Sequence, residues 1–172
     1  VLGKQGDGYV LASESCALDI VGAEIVRDLD PGEMLVITKA GIKSIKPFPA
    51  KQSRFCVFEY IYFARPDSVL EGRGVYHARK TIGAELAKES LANADLVVPV
   101  PDSGVPAALG YAEAANIPLD LGIIRNHYIG RTFIQPTQQG RNDSVKMKHN
   151  VEKCHIFVRQ KESWIIDTCH QC

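Results

Sequence analysis

Residues 96–110 read LVVPVPDSGVPAALG, and no other stretch constrains the fold of this chain as tightly. Leu96, Val97, Val98 and Val100 form a short apolar run without alternation, the pattern of a strand covered on both faces in a parallel sheet. Pro99 and Pro101 carry no N–H for a ladder, which puts them near the strand's carboxyl end, where pairing finishes. The chain then turns. Asp102 supplies a side-chain acceptor, Ser103 a hydroxyl and Gly104 the freedom for positive φ, while Pro106 suits the first turn of a helix. Free amides at such a helix start, with the helix dipole behind them, attract an anion, and open α/β sheets bind ligands at the carboxyl ends of their strands. The stretch is a candidate phosphate cradle, although many α/β proteins hold the same strand, turn and Ala-rich helix with no ligand.

Charge and composition narrow the partner. Twenty basic and twenty acidic side chains cancel, so neither nucleic acid nor an anionic membrane is expected, and the partner is a small molecule. With 172 residues, 45% of them hydrophobic, the chain can bury one sizeable core and part of a second. No apolar run approaches a membrane span and the opening VLGKQGDGYV lacks the blocks of a signal peptide, so the expected location is cytoplasmic. Cysteines at 16, 56, 154, 169 and 172 are an odd, uneven set, unlike a secreted disulfide framework. Cys16 reads as a small buried core residue. Cys154, His155, Cys169, His170 and Cys172 offer zinc-type ligands near the end of the chain, but their spacing is irregular around a single C-x-x-C.

In chain order, Gly8 to Ser13 and Glu33 to Thr38 are expected as strands, with Asp30-Pro31-Gly32 as the turn before the second and a short helix over Cys16 to Gly22. Lys39-Ala40-Gly41 makes a hairpin turn into Ile42 to Ile45. Pro47 to Arg54 is a plausible linker, dividing this α+β piece from the rest of the chain. Cys56 to Phe63 is rich in aromatic and β-branched residues and stops at the turn Arg65-Pro66-Asp67-Ser68. A helix is expected over Tyr76 to Leu91 with Ala78, Ile82 and Leu86 as its stripe, then the strand from Leu96, a helix over Val105 to Ala115, and a strand over Leu119 to Ile124. This βαβ progression implies a parallel sheet. Arg125 to Phe133 places Arg125, His127 and Arg131 around Tyr128 and the hinge Gly130, and Gln135 to Asn150 reads as a long, mobile, basic loop at the face where lids occur.

The blocks CVFEYIYFARPDS, VYHARKTIGAELAKES, VVPVPDSGVPAALGYA, GIIRNHYIGRTFIQP and VKMKHN, in this order and spacing, resemble the middle of the amidophosphoribosyltransferase family, the glutamine phosphoribosylpyrophosphate amidotransferases. GYVLASESCALDIVGAE followed by DPGEMLVI resembles the end of that family's glutaminase domain, so the match covers about residues 7 to 150. The resemblance implies residues 1–47 as the α+β C-terminal remnant of an N-terminal-nucleophile glutaminase domain. Residues 48–150 become the first part of a type I phosphoribosyltransferase domain with an α/β parallel sheet, and 151–172 a divergent tail. It implies transfer of glutamine-derived ammonia to phosphoribosylpyrophosphate, giving phosphoribosylamine, the first committed intermediate of purine synthesis. The intact enzyme is then expected to be a homo-oligomer with glutamine and phosphoribosylpyrophosphate as substrates.

Residue by residue, the resemblance makes Ser103, within the Asp102-Ser103-Gly104 loop, a ligand of magnesium and of the pyrophosphate end of the substrate. Arg125, Tyr128, Gly130 and Arg131 match the flexible loop that closes over substrate. Cys56 matches a ligand of the [4Fe-4S] cluster in the cluster-bearing branch, although cluster-free members share this block. The family's glutaminase cysteine, which stands at the mature N-terminus, has no counterpart here, and neither does its strand ending in two aspartates followed by Ser, Gly and Thr. Asp167 after Trp164-Ile165-Ile166 falls near the place of that fingerprint but is a single acid without the glycine loop. A frame shift or alternative end explains the tail better than a metal site does. On these grounds the 172 residues alone are expected to be marginally stable and to lack both half-reactions. A non-catalytic phosphate- or nucleotide-binding protein that kept the cradle is the alternative.

Overall fold

The computed structural model describes residues 1–52, 54–130 and 136–151, with the backbone of 164–166. The fold is mixed α/β. Strands β1 (Leu2–Gln5), β2 (Gly8–Leu11) and β3 (Glu24–Arg27) form an antiparallel sheet in the order β2-β1-β3. Helix α1 (Ser15–Val21) lies between β2 and β3 and ends at Gly22, whose φ of 69° supplies the left-handed cap. The short helix and the strand from Gly8 agree with the sequence reading. β1 and β3 are additional, and β3 lacks the alternation that marks a half-buried strand because all four of its residues are exposed. Leu2, Cys16 and Leu18 are among this unit's few buried residues, so Cys16 is the small interior residue expected.

Strands β4 (Met34–Thr38) and β5 (Gly41–Ile45) pair as the expected hairpin, with Thr38 opposite Gly41 across the Lys39-Ala40 loop. The turn before it closes when the Glu33 amide donates to the Asp30 carbonyl at 3.0 Å. The Glu33 carboxylate accepts from both Arg27 terminal nitrogens, at 2.8 and 2.5 Å, and from the Ser44 hydroxyl at 2.6 Å. These hydrogen bonds, Arg27's first, hold it well below the usual carboxylate range. The described residues from Lys46 to Phe55 carry no helix or strand.

Within the aromatic stretch Cys56 to Phe63, Glu59–Phe63 is a single wide helical turn. Phe55 meets Tyr60 and Phe58 meets Phe63, ring to ring five residues apart, and the Ala64 amide donates to the Glu59 carbonyl at 3.1 Å. A tight hairpin of β6 (Val69–Leu70) and β7 (Arg73–Gly74) then leads into helix α2 (Val75–Glu89). The buried stripe of α2 is Val75, Arg79, Gly83 and Ala87, one residue along from the expected Ala78, Ile82 and Leu86, and Ile82 and Leu86 are exposed. Contact here is made by the smallest residues, so the largest apolar ones mislead.

Strand β8 (Val97–Pro99) and helix α3 (Val105–Ala115) fall where the sequence places them, with Pro99 as the last strand residue. β8 is central. On one edge it pairs in parallel with a strand at Trp164–Ile166, Trp164 opposite Val97 and Ile166 opposite Pro99. On the other, Val97 donates to the Pro118 carbonyl at 2.8 Å and accepts from the Asp120 amide at 3.1 Å, bridging in parallel to Leu119. The strand expected over Leu119 to Ile124 is split in two, because the Asp120 carboxylate takes the Leu121 amide at 2.7 Å and its carbonyl the Gly122 amide at 3.2 Å. The second piece, β9 (Ile123–Arg125), pairs antiparallel with β10 (His149–Val151).

Between them, Gln138–Lys148 is helix α4, where the sequence reading placed a mobile loop. Thr137 caps it, accepting from the Gly140 amide at 3.1 Å, and Gln138–Asn142 and Gln139–Asp143 bond one turn apart. No residue of α4 is buried, so no apolar stripe announces it. Asp167, Cys154, His155, Cys169, His170 and Cys172 lie outside the described residues.

The core wraps β8. Val97 packs with Ala87, Ala108, Tyr111 and Ala112 on one face, while Leu96 and Val98 pack with Ile123 on the other. What holds the helical layer on is a backbone contact between α2 and α3. A Cβ on Gly83 would lie 1.9 Å from the Ala107 carbonyl oxygen, and one on Gly110 would lie 1.8 Å from that of Lys80. Neither site admits even a methyl unless the helices separate. Gly83→Ala or Gly110→Ala is therefore expected to destabilise the fold by at least about 2 kcal/mol. Gly74→Ala, where an added Cβ meets nothing within 4 Å, should change it by less than about 1 kcal/mol. Urea unfolding of the three variants checks this, and a neutral Gly83→Ala contradicts it.

Candidate functional site at the carboxyl end of the central strand

At the end of β8 the chain makes a tight turn, residues 101–104, before α3 begins. The Gly104 amide donates to the Val100 carbonyl at 3.0 Å and the Val105 amide to that of Asp102 at 3.4 Å. Pro106, in the first turn, has no amide to offer. The row of free amides expected at this helix start is thus shortened by the loop's own bonds. Gly104 is buried with φ of −76°, so it does not use the positive φ that glycine allows. Ser103 is half-buried, and its hydroxyl makes no hydrogen bond among the described residues.

Arg125, at the end of β9, reaches this loop, and its guanidinium pairs with the exposed Asp102 carboxylate. Its Nε is buried and has no hydrogen-bond acceptor among the described residues. Two of the sequence-assigned groups, Asp102 and Arg125, are therefore brought together from positions 23 residues apart. His149, at the start of β10, completes the cluster. Burial pushes its pKa below the ordinary value, the Lys148 and Arg125 charges push the same way, and the Pro101 carbonyl and Asp102 carboxylate oppose them. Sequence reasoning did not single out His149. Its signal was the basic turn Lys146 to Lys148 ending in a histidine, hidden in what looked like a loop.

Beyond Arg125 the chain turns on Asn126. The Asn126 amide donates to the Lys148 carbonyl at 2.7 Å, its side-chain oxygen accepts from the Tyr128 amide at 3.0 Å, and its carbonyl accepts from the Ile129 amide at 3.3 Å. Tyr128 stands out from this turn with 97% of its surface exposed, and Gly130 has open space around it. Arg131 lies outside the described residues. A groove of about 680 Å³ runs beside the turn, lined by Ile124, Arg125, Asn126, Lys146, Met147, Asn150 and Val151. Its polar side chains are cationic or neutral, which suits an anionic ligand.

Cys56 is exposed and far from being one of a ligand set: among the described residues no three His, Cys, Asp or Glu side chains gather to hold a metal ion. The thiol does not by itself fit an iron–sulfur cluster, which takes four such ligands. The Ser103 hydroxyl, without a partner among the described residues, is a hard oxygen of the type magnesium takes. Among the described residues no helix is long and apolar enough to cross a membrane.

No family model matches the chain. It is 53% identical over 161 residues to the amidophosphoribosyltransferase of Rhizobium etli, covering 91% of this chain and 32% of that protein. It is 56% identical over 142 residues to the amidophosphoribosyltransferase of Synechococcus elongatus, covering 83% and 29%. Among solved structures, the glutamine phosphoribosylpyrophosphate amidotransferase of Bacillus subtilis, complexed with ADP and GMP, matches with a TM-score of 0.76 and 51% identity over 87% of this chain and 33% of that one. The chain spans about a third of the length of these relatives.

The Asp102, Arg125 and His149 cluster has a pH signature. A His149 pKa lowered on folding means that above about pH 7 the ring is neutral folded or unfolded and stability does not depend on it. Below the unfolded value of about 6.5 the unfolded chain takes up the proton more readily, so stability falls as pH drops. An NMR titration of His149 should give a midpoint below 6.5. Asp102→Asn should move it lower still, because the attracting carboxylate charge is gone while Arg125 and Lys148 remain. A midpoint raised by Asp102→Asn contradicts the cluster.

Proposed function

This chain is homologous to amidophosphoribosyltransferases along most of its own length, and from that premise we propose that it is a segment of an enzyme that joins glutamine-derived ammonia to phosphoribosylpyrophosphate. The product is phosphoribosylamine, the first committed intermediate of purine synthesis. Residues 1–47 form the end of the glutamine-hydrolysing half and 48–150 the first part of the transferase half. The tail from 151 onward is divergent. The intact enzyme is a cytoplasmic homo-oligomer in this reading.

The observation that carries the proposal is the loop Asp102-Ser103-Gly104 at the carboxyl end of a strand buried on both faces, with Arg125 brought against it from the next strand. Such a place is where open α/β sheets take phosphorylated ligands. The Ser103 hydroxyl, without a protein partner among the described residues, is available to magnesium or a phosphate oxygen. Arg125 is oriented by Asp102 before any ligand arrives, and its buried Nε donor is unspent. Arg125, Tyr128, Gly130 and Arg131 form the loop that closes over substrate and excludes water. The root of that loop is pinned by Asn126, and its exposed tip at Tyr128 and Gly130 is unencumbered. Magnesium, when bound, neutralises part of the charge that develops on the leaving pyrophosphate. The chain's own contribution is to hold that leaving group and keep it dry. Cys56 would join a cluster only with ligands from elsewhere in a longer chain, so no step is assigned to it.

In a full-length enzyme carrying this segment, Ser103→Ala removes one preorganised ligand. Such a group is worth on the order of 3 kcal/mol, so kcat/KM for phosphoribosylpyrophosphate should fall roughly a hundredfold, with a raised magnesium requirement. Steady-state kinetics at varied magnesium measure both. Unchanged values would remove Ser103 from the site.

A further inference from the structure

The buried polar or charged side chains among the described residues are Ser15, Ser68 and Arg79, and their hydrogen-bond partners are Glu14 and residues within 60–69. Ser15 begins α1, in the antiparallel N-terminal unit, while Ser68 lies in the turn that leads to α2. Glu14 joins them. Its carboxylate accepts from the Arg65 amide at 2.8 Å and from the Ser68 hydroxyl at 2.6 Å, across more than 50 residues of sequence. One residue on, the Ser15 hydroxyl accepts from the Val69 amide at 2.8 Å. Three hydrogen bonds thus fasten residues 14–15 to residues 65–69.

The turn that receives them also holds the start of α2. The Val75 amide donates to the Ser68 carbonyl at 2.9 Å and the Tyr76 amide to the Pro66 carbonyl at 2.9 Å. Arg79, a turn further along α2, donates from Nη2 to the Ala64 carbonyl at 2.8 Å and from Nε to the Tyr60 carbonyl at 2.6 Å. Next on the same stripe comes Gly83, whose backbone touches Ala107 in the first turn of α3, three residues past Gly104 of the phosphate loop. A continuous run of fixed contacts therefore leads from Glu14 to the loop that faces substrate. Buried polar groups that are fully satisfied specify one arrangement, because any other leaves them unpaired at a cost.

We propose that Glu14 and Ser15 are positioning residues that clasp the N-terminal unit to the transferase half, so that ammonia released in the first reaches the loop at Ser103 in the second. This rests on the function proposed above. The clasp touches neither substrate nor the reacting atoms. Its effect is on delivery, and so it separates glutamine-dependent from ammonia-dependent synthesis.

The test uses a full-length enzyme carrying this segment, with Glu14→Ala and Glu14→Gln. Glu14→Ala should lower glutamine-dependent phosphoribosylamine formation at least tenfold, while glutamine hydrolysis and synthesis from added ammonium chloride each stay within twofold of wild type. Glu14→Gln keeps an acceptor oxygen for Arg65 and Ser68 and should restore most of the glutamine-dependent rate. Hydrogen exchange should quicken at the Arg65 and Val69 amides in Glu14→Ala, showing that the clasp opens as a unit. If all three rates fall together, Glu14 is a stability residue and the proposal is overturned. Unchanged rates, or unchanged exchange at Arg65 and Val69, overturn it as well. A wild-type enzyme that forms no phosphoribosylamine from either nitrogen source contradicts the functional reading instead, and the exchange result then decides the clasp alone.

Discussion

The close approach of α2 and α3 is the contact on which the rest of this structure depends. Gly83 and Gly110 let each helix press its backbone against the other, with Ala87, Ala107, Ala108 and Ala112 filling the margins. Small residues contribute little apolar area individually, but the closeness they permit brings Tyr111 down beside β8. There its hydroxyl accepts from the Ala92 amide and donates to the Ser90 carbonyl, both at 2.8 Å. The same contact sets where α3 begins. Since Ala107 abuts Gly83, the turn just before α3 has little freedom to move along the helix axis, and the Asp102-Ser103-Gly104 loop is held at the end of β8.

Polar interactions divide the remaining work by distance along the chain. Short-range ones shape local turns, as Asp120 and Asn126 do when their side chains bond to amides one and two residues on. Long-range ones join segments that lie far apart in the sequence. Glu14 with Ser68, and Asp102 with Arg125, each span a stretch that no single helix or strand could bridge. A chain with equal numbers of acidic and basic residues can place them this way without a net charge, and the groove beside Arg125 and Lys146 is still lined by cations with no acidic side chain among its lining residues.

Much of this was legible in the sequence, and the failures have physical causes. The strand at Val97, the turn and the helix over Val105–Ala115 were readable because β-branched residues, two prolines and an alanine-rich run all point one way. The stripe of α2 was misread because a hydrophobicity pattern favours Ile82 and Leu86, whereas packing that needs backbone contact favours Gly83. Helix α4 was missed because a helix with no buried residue has no period to detect, and only Thr137 as a cap and the cations of its last turn betray it. The pairing of Asp102 with Arg125 could not be read from either residue alone. It needs the loop after β8 and the end of β9 to be neighbours, which is a property of the sheet. His149 was hidden for the same reason, since its environment comes from Pro101, Asp102 and Arg125, all distant in sequence.

We propose that the loop after β8 and the turn beyond Arg125 form one anion-binding site. Hydrogen exchange on a full-length protein carrying this segment, with and without phosphoribosylpyrophosphate and magnesium, tests that most directly. Ligand should slow exchange together at the amides of residues 102–104 and 126–130, while the amides of α2 and the β4–β5 hairpin stay as they were. Equal exchange at residues 102–104 and 126–130 with and without ligand would contradict the site.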